Sequence, residues 1–204
     1  MGDCCNDESA VEALRERQRG TLRMVLGINV LLFAVIVSAA LYSDSSALLA
    51  DSLDNLGDAL TYGLSLFVVA RGAGAKARVA LFKGILILLA AGAVAGQIGY
   101  RLLVPATPVF EVMGLFSLVA LAGNSVCLYL LWRHRHEDVN MSSVWECSRN
   151  DIAANLSVFV AAGGVWLTGS GWPDIVVALG LLVLLLRSGA GVVASALREL
   201  RTAA

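Results

Sequence analysis

Three aspartates, Asp51, Asp54 and Asp58, stand in a stretch that is otherwise apolar or small: LLADSLDNLGDAL, residues 48–60. With Asn55 they follow an i, i+3, i+4, i+7 spacing, which lays all four on one stripe of a helix. A charge near the centre of a bilayer costs about 2.5–3.5 kcal/mol even on the lenient insertion scale. Three like charges on one stripe also repel each other. A water-filled cavity, bound protons or a bound cation must offset that cost. A second constellation lies in WECSRNDIAANL, residues 145–156, where Cys147 and Asp151 are four residues apart. A thiolate and a carboxylate at that spacing share a helical face and can hold one metal ion. Asn150 and Asn155 lie near the same face and are candidates to support it, as Asn55 is on the first stripe.

The elements that must position these groups are membrane spans. The chain has 204 residues, of which 58% are hydrophobic and 15% charged. Soluble domains run at roughly 45–50% and 25%. Residues 24–42, 84–100 and 112–132 carry no charge over 19, 17 and 21 residues. Each is about the length that crosses a hydrocarbon core of ~30 Å. Three further spans are interrupted by charge: roughly 46–70 with the aspartates, 144–168 with Cys147 and Asp151, and 173–197 with Arg187. The expected fold is all-α, a polytopic bundle of six transmembrane helices over residues 22–197. Residues 1–21 then form a flexible tail, and 198–204 a short C-terminal one.

Charge in the loops orients the bundle. Arg15, Arg17, Arg19, Arg23, Arg71, Lys76, Arg78, Lys83, Arg133, Arg135, Arg198 and Arg201 fall on the side of the termini, and only Arg101 on the other. The positive-inside rule makes the first side cytoplasmic, in a cell (inner) membrane. The polar first 23 residues do not read as a secretory signal. A net charge of −1 suggests no nucleic-acid partner. No nucleotide-binding loop and no Ser/His/Asp arrangement is present, so no enzyme is expected and energy would come from ion gradients.

Depth relates the two constellations. Asp58 lies 13 residues before Arg71, and Asp151 lies 13 residues after Asp138. Both distances are about 20 Å of helix, which puts the two aspartates near mid-membrane.

The pattern resembles the cation diffusion facilitators, divalent-metal/proton antiporters. SSALLADSLDNLGDAL resembles the family's second span, in which His or Asp precedes an Asp by four residues. CSRNDIAANLSVFVAA resembles the fifth, in which His usually precedes Asp by four. GSGWPDIVVALGLLVLLLRSG resembles the approach into the sixth. The resemblance covers roughly residues 22–200. It implies Asp54, Asp58, Cys147 and Asp151 as transport-site ligands, with Asp51 one turn outward on the path. It also implies alternating access, protons exchanged for metal, and a homodimer in the lipid bilayer. Two departures stand out. Cys147 replaces the usual His, and the family's common C-terminal cytoplasmic domain is missing from the sequence.

Three carboxylates and a thiol suit Zn²⁺. The sulfur adds affinity for Cd²⁺, and the oxygens admit Mn²⁺, Fe²⁺ or Co²⁺. Mg²⁺ and Ca²⁺ prefer oxygen-only sites. Ligands that hold protons when empty lose them to a bound cation. No prosthetic group is expected; the metal is cargo. Cys4, Cys5, His134 and His136 are weak candidates for collecting metal at the cytoplasmic mouth, and Cys127 reads as a packing residue. Two other functions compete: a membrane metal sensor that binds without transporting, and a structural membrane subunit in which the acids only hold helices together.

Overall fold

A computed structural model describes the backbone over residues 4–68, 73–132 and 139–202, with side chains over 19–64, 66, 77–132 and 149–201. The described residues form six helices and no strand: α1 (Cys4–Ser43), α2 (Ser46–Val68), α3 (Ala73–Leu103), α4 (Phe110–Trp132), α5 (Val139–Thr168) and α6 (Trp172–Thr202). Five of them, all but α2, are long and apolar enough to cross a membrane. α2 has 23 residues, enough for about 35 Å, but carries the three aspartates. α1 starts well before residue 22. The sequence AVEALRERQRG, residues 10–20, is rich in strong helix formers and extends the first span as one helix. The loop residues 133–138, with His134 and His136, lie outside the described residues, as do the side chains of Cys4 and Cys5.

Outward faces are apolar: Leu31, Leu103, Leu115, Trp166 and Leu167 are all exposed. A soluble domain would bury such residues, whereas a helix bundle in lipid turns them outward. The most extensive packing joins α3 to α6, α1 to α2, and α4 to α5, with α1 also against α4. The chain thus forms a group of four helices (α1, α2, α4, α5) and a pair (α3, α6), with α2 touching both. Small residues permit close approach. The Cβ that Gly123 lacks would meet Leu32 at 2.9 Å, and that of Gly84 would meet Val193 at 2.6 Å.

The end of the bundle away from the termini is tied together. Asp44, at φ 59°, turns the chain between α1 and α2. Helix N-termini leave backbone N–H groups without intrahelical partners, and here α6 satisfies those of α2. Ser46 N donates to Asp174 Oδ2 at 2.8 Å, and Ala47 N to Asp174 Oδ1 at 3.1 Å. Ser45 Oγ donates to Asp174 Oδ1 at 2.6 Å and accepts from Leu48 N at 3.0 Å. Asp174 is 1% exposed. Arg101, at the end of α3, forms an ion pair with Asp44. Val109 N donates to Ser43 O at 3.1 Å.

Gly171 closes the same end from the α5–α6 turn. A Cβ there would run into the carbonyl oxygen of Ala106. Backbone cannot swing away as a side-chain tip can. Gly171→Ala is therefore expected to destabilise the fold by about 1–3 kcal/mol, the usual range for overpacking. A thermal melt of the purified protein checks this, and an unchanged midpoint would refute the close approach.

Candidate metal site

The stripe of polar residues on α2 is divided by its neighbours. Asp54 and Asp58 are half-buried and line a cavity of about 720 Å³ between α2, α5 and α6, together with Asn150, Asp151, Ser157 and Ser188. Asp51 and Asn55 are buried and are not among that cavity's lining residues. Asp51 and Asp54 differ by about 60° around the helix and Asn55 and Asp54 by about 100°, while Asp51 and Asp58 share a direction but stand two turns, about 10.5 Å, apart; angle and height together place them against different partners. Asn55 Nδ2 donates to Asp51 O at 2.9 Å, within the helix. That bond uses one of the two amide N–H groups, and through it Asn55 supports the backbone of α2.

Asp58 and Asp151 meet. Their side chains are in hydrogen-bonding contact across the α2–α5 interface. Two carboxyl groups in contact hold either a shared proton or a cation between them. Tyr62, one turn beyond Asp58, donates its hydroxyl to Asp58 Oδ2 at 3.2 Å. The ring of Tyr62 is packed with Leu22, Val25 and Leu131 in the smaller of two apolar cores, so the bond is made from a rigid support.

Lys83 of α3 adds a positive charge. Gly57 of α2 faces Ile87 of α3, with 3.7 Å from the position of its missing Cβ to Ile87 Cγ1. Lys83 precedes Ile87 by one turn on the same face, and its charge acts on Asp58. Two residues thus escaped the sequence reading. Tyr62 carried a signal, its i+4 spacing from Asp58. Lys83 carried none, because it ends a run of basic residues that reads as loop charge.

Cys147 belongs to the backbone of α5, but its side chain lies outside the described residues. Among the described residues, no three His, Cys, Asp or Glu side chains converge tightly enough to form a metal site by themselves. What stands together is the Asp58–Asp151 pair, with Asp54 and Asn150 on the same cavity wall. Cys127 is buried, as a packing residue would be. It also accepts a hydrogen bond from Asn29 Nδ2 at 3.8 Å and lies within electrostatic reach of Asp58 and Asp151.

These features describe an acidic cavity inside a multi-pass membrane bundle. A search of curated proteins returned no significant match. The family model described as the cation efflux transmembrane domain matches residues 22–201, nearly all of the helical bundle. The chain therefore belongs to the cation efflux family and is a membrane cation transporter of the cation diffusion facilitator kind.

Proposed function

We propose that this transporter exports Zn²⁺ or Cd²⁺ in exchange for protons, by alternating access across six spans, with both termini in the cytoplasm. The observation that carries this reading is the contact between Asp58 and Asp151 on the wall of a cavity that Asp54 also lines. A divalent cation entering the cavity can replace the proton that such a pair shares. Asp54 supplies a third oxygen from the same wall. Cys147, one turn before Asp151 on α5, supplies the sulfur that favours Zn²⁺ and Cd²⁺ over Mg²⁺ and Ca²⁺. When metal leaves, protons return to the carboxylates, and the cycle draws its energy from the proton gradient.

The test is uptake of Zn²⁺, Cd²⁺ and Mn²⁺ into proteoliposomes with and without a pH gradient. Gradient-dependent uptake of Zn²⁺ and Cd²⁺ is expected. Uptake indifferent to the gradient would remove the antiport, and uptake of Mn²⁺ in preference to Cd²⁺ would remove the role of the thiol.

Lys83 places a cation next to this site, and a second cation must bind against it. At an effective dielectric near 20, two unit charges still interact by about 1 kcal/mol at roughly 16 Å, which is about fivefold in affinity. Lys83→Gln is therefore expected to tighten Zn²⁺ binding about threefold to tenfold, while Lys83→Arg leaves it near wild type. Competition against a chromogenic chelator reads the affinity directly. Equal affinity in wild type and Lys83→Gln would show that the charge does not reach the site.

A further inference from the structure

The group of four helices buries polar residues that the cavity does not explain. Asp51, Asn29, Asn124 and Asn155 are 2%, 1%, 1% and 0% exposed. Among the described residues, Asp51 Oδ2, Asn29 Oδ1, Asn124 Oδ1 and both polar atoms of the Asn155 amide have no hydrogen-bond partner. A buried polar atom left unpaired costs about 1–3 kcal/mol. Buried polar groups are satisfied in native structures by protein or by bound water.

Helix register arranges these four residues in order. Gly114 of α4 faces Ala162 of α5, Gly123 of α4 faces Leu32 of α1, and Asp58 of α2 touches Asp151 of α5. From these contacts, Asp51, Asn155 and Asn124 follow one another toward the termini in steps of about three residues, ~4.5 Å each. The next step brings Cys127 and Asn29, which are hydrogen-bonded to each other. Each residue comes from a helix of the same group, and each is buried. The four residues stand at different heights on helices whose axes lie about 8–10 Å apart, a spacing over which bound water can bridge polar groups that make no direct bond. Four of the five unpaired atoms are acceptors, and water supplies the donors that they need.

We propose that a file of bound water runs through the interior of the α1, α2, α4 and α5 group. It is held by Asp51, Asn155, Asn124 and Asn29, and it ends beside Cys127 and the Asp58–Asp151 pair. The file approaches that pair from the four-helix interior, whereas the cavity approaches it from α6. Resting on the antiport reading, this separates the two substrates: protons move along hydrogen-bonded water, and a metal ion, too strongly hydrated for so narrow a file, keeps to the cavity.

Cys127 is a built-in reporter, because it is 1% exposed and shielded from bulk solvent. Hydroxyl radicals generated by an X-ray pulse from bound water label the side chains next to that water. In the full-length wild-type protein, Cys127 is expected to be oxidised at a rate within about tenfold of Trp172, which is exposed beside the α5–α6 turn. Asn155→Leu and Asn124→Leu, each an apolar replacement with the same branching and heavy-atom count, are each expected to lower Cys127 labelling by about fivefold or more by drying the file. Asn155→Ser, small and polar, should preserve it. Labelling of Trp172 unchanged across the variants sets the radical dose, and an unchanged thermal melt shows the fold to be intact. Unlabelled Cys127 in wild type, or labelling that Asn155→Leu and Asn124→Leu leave unchanged, overturns the proposal. The readout needs no transport, so a failure of the antiport reading in vesicles would be a separate result.

Discussion

Asp58→Asn is expected to abolish metal transport while leaving the protein as stable as wild type, or more stable. The two effects have opposite signs for one reason. Asp58 faces Asp151 at hydrogen-bonding contact, on a cavity wall that Asp54 also lines. An asparagine keeps the shape, keeps an acceptor for the Tyr62 hydroxyl, and removes one of the crowded acids. The folded state loses repulsion and loses little packing. The metal loses a charged ligand from the centre of its site, and affinity should fall by about a hundredfold or more, close to 3 kcal/mol. Vesicle uptake and a thermal melt, run on the same preparation, read both effects. If the acids were there only to hold helices together, the signs would reverse: the melt would suffer and uptake would survive. That pattern would end the assignment of Asp58 as a ligand.

Asp174→Ala should be the most damaging single change to the fold. Its carboxylate accepts from Ser45 Oγ, Ser46 N and Ala47 N at a site almost closed to solvent. Alanine leaves the N–H groups of Ser46 and Ala47 and the hydroxyl proton of Ser45 without their acceptor. Loss of a hydrogen bond to a charged group costs about 1.5–3 kcal/mol, and partial rehydration at this end recovers some of the total. The expected loss is about 2–4 kcal/mol, or a fall of roughly 5–15 °C in melting temperature for a chain of this size. Asp174→Asn retains one acceptor oxygen and should lose about half as much. An equal loss in both variants would mean that volume, and not the hydrogen bonds, is what the site requires. The contact also joins the four-helix group to the α3–α6 pair, so the far mouth cannot widen between α2 and α6 while it stands.

The Asp58–Asp151 pair illustrates what a linear sequence discloses about such a site. Spacing of i, i+4 within α2 and within α5 puts ligating groups on helix faces, and counting residues to the nearest charged loop puts the two faces at one depth. Both arguments use helix geometry alone. Which half of the α2 stripe turns toward α6 is a different matter. Asp51 and Asp54 are three residues apart, and only the packing of α1, α5 and α6 around α2 decides that one is enclosed and the other lines a cavity. Asp174 was hidden for a related reason. A helix end capped by its own residues leaves a local signature such as the serines at 45 and 46. A cap delivered from another helix 128 residues away leaves none. Asn29 and Asn124 are isolated polar residues in apolar runs, and their alignment appears only when four helices are assembled.

α2 also bears on how the chain enters its membrane. Among the described residues, it is the one helix of the six without a stretch long and apolar enough to cross a membrane. Three aspartates cost about 2.5–3.5 kcal/mol each at the centre of a span, against roughly 0.3–0.6 kcal/mol gained per Leu, Ile, Phe or Val. Yet it is joined to α1, one of the most apolar helices, by only residues 44 and 45. Such a tight turn makes a helical hairpin the natural unit of insertion. The translocon would release α1 and α2 together, with the acidic face already set against a neighbour and never offered to lipid. Lengthening that turn with a flexible linker would leave every contact of the finished fold available. It would still reduce yield, because the cost falls on biogenesis and not on the folded state.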